Sequence, residues 1–486
     1  MSQEKMDIAK VLAILAQPQE PPAPLEHVTR LLLQIPYITK VGKVETRPVR
    51  IFMPEEAETP MPLIYVPHYE MGEDALELRD YLAKGWAVAS PAEFSDSYNG
   101  KLTDDDLVFN NAALYTLRHR AEFDKDRICL VGGSAGGYMT LMLSGLQLGH
   151  CASIANGPIT NVYFNFEYYF HKANALNQQA LLKIMAEKAA KKEAGEDPAA
   201  TDAKNQAESN AALELMKSLA ELPIPFLAGL IGLFEPVGEN FPDKEDMRRW
   251  EALSPVGIAD CFCSPVMVNH CTSDVLVPSD QITRRFTYER PGDSLPDSYD
   301  ARLPKDFPGK LGCSLEECLS AGETRTERFV VPEKADPIDL PYDRTKRFNI
   351  NMFDDGPAEG YGTHSSRMDV GRRYDVGYLS DMFERTAAKT CILTPAMLRS
   401  LLQRYQGESI ALPAHTGVDD AVYGSLAVYQ KEVAEELSDW AKNHGEEALQ
   451  EVFGKLLEMT GDAKEKRALQ ETMDEVCGKM CDEKGA

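Results

Sequence analysis

The densest concentration of chemistry-bearing residues is Gly132-Gly133-Ser134-Ala135-Gly136-Gly137, which follows the apolar run RICLV and leads into the helix-forming run YMTLMLSGL. A serine at a strand-to-helix turn this tight needs small neighbours, because the strained backbone leaves no room for larger side chains. The helix behind it aims its N-terminal dipole and unpaired N–H groups at the serine oxygen, where negative charge develops when a hydroxyl attacks a carbonyl. The pattern predicts Ser134 as a nucleophile, with Gly132, Gly133, Gly136 and Gly137 forming the elbow; an idle serine in a glycine-rich turn is the alternative. A phosphate-cradling loop of this type needs a lysine after its glycines, and none follows here.

A serine hydroxyl at its ordinary pKa is a poor nucleophile, so the reading requires a base and a group that orients the base. For a nucleophile on a strand-to-helix turn, the chain order is serine, acid, then histidine. The run PVMVNHCTSDVLVP, residues 265 to 278, reads as an apolar strand, a short turn and then Asp274. Asp274 is the candidate acid, with turn capping as its alternative role and Asp280 in reserve. The next strand, RFNINMF, runs into DDGPAEGYGTHSSR, where the one histidine is His364. Among the nine histidines, His415 and His444 lack a preceding strand, and the other six come before the acid. His364 is the candidate base, and a surface histidine is the alternative. The oxyanion hole is expected from the N–H of Ala135 and, from the loop after PLIYVP, the N–H of Tyr69, with His68 shaping that loop.

These residues have to be positioned by a parallel sheet. Strands are expected at Pro62–Pro67, Trp86–Ser90, Arg127–Val131, Ala152–Ala155, Pro265–Asn269 and Arg347–Phe353. Helices are expected at Asp74–Lys84, Leu107–Arg120 and Ala135–Leu148, the alternation of an α/β fold with crossover helices. Residues 1–40 read as a helical lead-in, with helices near Lys5–Leu15 and Leu25–Leu33, followed by extended segments near Tyr37–Val41 and Val44–Phe52. Residues 41–161 and 254–370 then form the core, interrupted over 162–253 by a helical cap. A loop-rich insertion or lid lies near 285–341, and 371–486 form a helical extension.

With 43% apolar and 26% charged residues, the 486-residue chain has an ordinary globular balance. A net charge of −26 would repel a polyanion, so nucleic acid is excluded as a partner. The longest apolar stretch, Leu222–Phe234, carries two prolines and two glycines and is shorter than the roughly 20 residues a membrane span needs. Met1–Lys10 lacks the basic start and apolar core of a signal peptide, so a cytoplasmic location with reduced thiols is expected for the ten cysteines. Neither Cys261 with Cys263 nor Cys477 with Cys481 has a matching ligand pair at zinc-site spacing, so no metal is expected.

Together FDKDRICLVGGSAGGYMTLML around Ser134, SPVMVNHCTSDVLVPSDQ around Asp274 and the strand-then-histidine segment at His364 resemble the α/β-hydrolase superfamily. They are most similar to the catalytic domain of the prolyl oligopeptidase-like serine hydrolases. The resemblance covers roughly residues 40 to 160 and 250 to 370, with gaps. It implies an α/β-hydrolase fold and an acyl-enzyme mechanism needing no cofactor, acting on a small ester or short peptide, with an oligomer open. Its large peptidase members carry a β-propeller for which no repeat is visible here, and their glycine-rich oxyanion loop appears as His68-Tyr69-Glu70. Ester hydrolysis is therefore the leading expectation, peptidase or amidase activity the second, and a non-catalytic binding protein on the same fold the third. The cap's LPIPFLAGLIGLF segment is either an apolar substrate pocket or cap core.

Overall fold

The structure is a computed structural model that describes residues 24–92, 102, 104–169, 247–272, 274, 276–286, 302–330, 342–354 and 375–483. These contain a nine-stranded sheet. Its strands are β1 (Val28–Ile38), β2 (Val44–Pro54), β3 (Met61–Tyr65), β4 (Ala87–Pro91), β5 (Phe123–Gly133), β6 (Ala152–Asn156), β7 (Val266–Cys271), β8 (Thr324–Val330) and β9 (Phe348–Asp354). They lie in the order β1-β2-β4-β3-β5-β6-β7-β9-β8. Only the pairings of β2, with β1 and with β4, are antiparallel.

Parallel neighbours need crossovers, and helices supply them. Helix α1 (Leu76–Ala83) joins β3 to β4, α2 (Asp104–Arg118) joins β4 to β5, and α3 (Ala135–Leu146) joins β5 to β6. The strands are apolar on both faces because both are covered. Leu63, Tyr65 and Leu130 pack with residues of α2 and α3, while Ile64, Cys129 and Val131 pack with residues of α1 and of α6 (Asp375–Arg385). Short helices α4 (Met247–Ala252) and α5 (Leu315–Cys318) flank the later strands. The parallel strands all end on one edge of the sheet, the edge from which the described turns after β3, β5, β6 and β7 emerge.

Beyond the sheet the chain is helical: α7 (Ala387–Thr390), α8 (Pro395–Gln406), α9 (Leu426–His444), α10 (Glu446–Met459) and α11 (Ala463–Glu483). Thr394 caps α8 by accepting from the Met397 N–H, Pro395 opens it, and Gly407 closes it at φ 76°. Leu401, Leu437, Phe453 and Val476 build a separate apolar core that reaches Leu148, Cys261 and Cys263 of the sheet domain. A buried charge seam ties the two: Arg404 Nη2 donates to Glu436 at 2.9 Å, and Arg118 Nη1 donates to the same carboxylate at 3.1 Å.

Two expectations need correction. The helix expected over Leu25–Leu33 is β1, paired with β2 over eleven residues, so long-range pairing overrides the helical leaning of the leucine run. The segment read as an insertion or lid returns to the sheet as edge strand β8, parallel to β9. The helix expected near Lys5–Leu15 lies outside the described residues. Of the cap, residues 162–169 and α4 are described and helical, with Phe166 stacked on Trp250 at 5.7 Å between ring centroids; 170–246 lie outside. None of the nine described cysteines is disulfide-bonded, and no described helix is long and apolar enough to cross a membrane.

Candidate active site

Ser134 sits between β5 and α3 with φ 55° and ψ −121°, a conformation that a non-glycine residue keeps only when its surroundings impose it. Two hydrogen bonds do so. Its N–H donates to the carbonyl oxygen of Asn156, the last residue of β6, at 2.8 Å, and its own carbonyl accepts the Tyr138 N–H at 2.9 Å, the first bond of α3. The glycines are needed where chain segments crowd together. A Cβ on Gly132 would lie 2.3 Å from the Gly136 carbonyl oxygen, and a Cβ on Gly136 would lie 2.9 Å from that of Pro67. Ser134 remains half-buried. The amides opening α3, Ala135 first, have no carbonyl within the helix to bond and are aimed at this end of the sheet.

The loop after β3 meets this elbow directly. His68 takes φ 75° and is buried, its imidazole pushed down to about 3 by desolvation and then by the Arg47 charge, so it is neutral. Its ring lies edge-on to that of Tyr69, with centroids 4.4 Å apart, and Tyr69 in turn lies over Gly136. The Tyr69 N–H donates to the Pro67 carbonyl at 3.0 Å within its own loop. Service as an oxyanion donor would require it to share or leave that bond.

Asp274 follows β7 and is 1% exposed. Its Oδ1 accepts the N–H groups of Leu276 at 2.8 Å and Val277 at 2.9 Å, fixing the carboxyl by its own turn. One strand separates β5 from β7, so the strands that lead to Ser134 and Asp274 lie about 10 Å apart at two strand spacings. Burial drives the Tyr169 hydroxyl pKa upward, with the charge of Asp274 adding to the shift. The reserve acid Asp280 is occupied otherwise, its Oδ2 accepting the Leu303 N–H at 2.6 Å. His364 lies outside the described residues; the strand leading to it, β9, pairs with β7, and Thr272 donates to Phe353 O across that junction at 2.9 Å.

Two neighbours were not anticipated. His270, buried on β7, has Nε2 3.0 Å from Val277 O and 3.9 Å from Asp274 Oδ2, so an imidazole already flanks the acid from beneath. Gln281 binds the start of the cap to the loop after β7, its Oε1 accepting the N–H groups of Thr160 at 2.8 Å and Asn161 at 3.1 Å. A lone amide in the polar run Ser279–Arg285 gives no motif to find it by. Among the described residues no three His, Cys, Asp or Glu side chains are grouped to hold a metal.

No protein-family model matches the chain, and no curated protein sequence matches it. Solved structures that resemble it include a puromycin hydrolase, at 13% identity and TM-score 0.41 over 76% of this chain and 41% of that one. The Pyrococcus horikoshii acylaminoacyl peptidase resembles it at 13% identity and TM-score 0.40, over 80% of this chain and 44% of that one. An acetyl xylan esterase from Paenibacillus sp. R4 does so at 11% identity and TM-score 0.38, over 78% of this chain and 92% of that one. The chain spans less than half the length of the puromycin hydrolase and of the acylaminoacyl peptidase. Its own strand order, antiparallel only at β2, with a left-handed serine between β5 and the following helix, is that of the α/β-hydrolase fold.

Proposed function

We propose that the chain is a serine hydrolase that cleaves a carboxylic ester of a small or medium-sized substrate through an acyl-enzyme. The observation that carries this reading is Ser134 held at φ 55° between β5 and α3, half-open, on the same sheet edge as a buried carboxylate. His364 would take the proton from Ser134 Oγ as that oxygen attacks the carbonyl, then return it to the departing alcohol. Asp274 would hold the imidazole in the useful tautomer and stabilise its charge, using the oxygen not bound by Leu276 and Val277. The amide of Ala135 would receive the developing oxyanion, joined by that of Tyr69 if it swings away from Pro67. Water attacking the acyl-enzyme by the same route in reverse would release the acid.

Labelling with a fluorophosphonate tests the reading: wild type reacts and Ser134→Ala does not. A wild type that stays unlabelled where a control hydrolase labels would return the chain to the class of binding proteins on this fold. Turnover of a p-nitrophenyl acyl ester series against aminoacyl and peptidyl amides then sets the substrate class. Amide cleavage far outrunning ester cleavage would make it a peptidase.

A further inference from the structure

Three asparagines stand side by side across the sheet, in register on adjacent strands: Asn156 on β6, Asn269 on β7 and Asn351 on β9. All three are buried, at 0%, 3% and 0% exposure, in strands whose other buried residues are mostly apolar. Their side chains form a single row. Asn351 Nδ2 donates to Asn269 Oδ1 at 2.9 Å, and Asn269 Nδ2 donates to Asn156 Oδ1 at 2.8 Å. At the outer end Arg325 of β8 donates from Nη1 to Asn351 Oδ1 at 3.1 Å.

The arginine sets the direction of the whole row. A guanidinium only donates, so Asn351 must present its oxygen to it and its NH2 to Asn269, and Asn269 must do the same toward Asn156. The amides therefore point their donor ends toward the nucleophile elbow, and the last donor, Asn156 Nδ2, is buried with no partner among the described residues. Apolar side chains would fill this layer without such a cost, so the row does something packing alone does not require. Asn156 is also the residue whose carbonyl holds the Ser134 N–H.

We propose that Asn156 is a positioning residue for Ser134, and that the row from Arg325 through Asn351 and Asn269 is what fixes Asn156. This rests on the reading of Ser134 as nucleophile. A strained serine stays in place only if its anchor does, and the anchor here is a strand end, where chains fray unless tied. Asn269→Ala cuts the row at a buried residue two strands away from the one that carries Ser134. The rate of fluorophosphonate labelling and kcat for a p-nitrophenyl ester should fall about tenfold or more, with KM within about twofold, as expected when a nucleophile is misplaced from a distance. A lower melting temperature with wild-type rates in the folded protein would overturn the proposal, because a purely structural row moves stability alone. Should Asn269→Ala not fold, Arg325→Met decides at the outer end: a roughly threefold loss of labelling rate supports the row, and an unchanged rate overturns it. Wild type that does not label at all overturns the reading of Ser134 and this proposal with it, whereas labelling at equal rates in wild type and both variants overturns this proposal alone.

Discussion

The ring of Tyr69 occupies the space a side chain on Gly136 would need: its Cδ2 lies 3.3 Å from where a Cβ would stand, beside the Pro67 carbonyl oxygen at 2.9 Å. The loop after β3 and the elbow after β5 thus touch across one glycine, and both bear residues at positive φ, His68 and Ser134. Gly136→Ala should push the two loops apart, at a cost of about 1–3 kcal/mol of overpacking. Since Ser134 and Tyr69 ride on those loops, the labelling rate should fall by about tenfold to a hundredfold. An alanine variant that labels at the wild-type rate would show that the contact is slack.

Asp274 has two roles that one substitution separates. Its Oδ1 caps the turn through the amides of Leu276 and Val277, and an asparagine oxygen can accept the same bonds. Asp274→Asn should therefore fold with little change in melting temperature, while kcat falls by about 10³ to 10⁴, the scale on which a base loses its orienting charge. A loss of less than about tenfold would leave Asp274 a turn-capping residue only.

How much of this was legible in the sequence depended on burial. Strands β3 to β7 and the helices between them are covered on both faces, so their apolar runs stand out against polar turns. At the sheet margins the signal inverts. Edge strand β8 reads TRTERFV, polar because one side faces solvent, and it lay hidden in a Pro- and Gly-rich segment; β1 carries Leu31, Leu32 and Leu33, a run with helical leaning that pairing with β2 overrides. Ser134 was visible because glycine spacing records a steric demand of the backbone. Asn156, Asn269 and Asn351 were not, because asparagine is disfavoured in strands and nothing local to any of the three marks it as one of a row. Their relation exists only in the register of three separated segments.

The seam between sheet and C-terminal helices should weaken as pH rises. Burial pushes the Glu432 carboxyl up to about 7, with Arg404 opposing and Glu436 adding to the shift. The folded chain holds a proton there that the unfolded chain, with an ordinary value of about 4.5, releases. Stability from this group is therefore complete below that lower value and is lost as pH rises through about 7. His119, raised by its hydrogen bond to Glu435, points the same way: its contribution is present at low pH and fades as the imidazolium deprotonates. Glu432→Gln removes the titration and keeps the shape. Its melting temperature relative to wild type should rise between about pH 5 and about pH 8; a flat difference would place the proton elsewhere.

The placement of the base gives the sharpest contrast. β9 lies directly beside β7, the strand that leads to Asp274, and the proposed role of His364 requires the chain after β9 to return its imidazole between acid and serine. His415 is held at the other side of the molecule, its N–H bonded to Gly424 O and its ring against Gly42 in the turn between β1 and β2. Four strand spacings, roughly 19 Å, separate β1 from β5, too far for proton transfer to Ser134. His364→Ala should lower kcat by at least about 10⁴, as loss of a triad base does, and His415→Ala should leave it within about twofold. If the two variants exchange these effects, the chain after β9 does not return over Asp274, and the base must be sought in the C-terminal helical region.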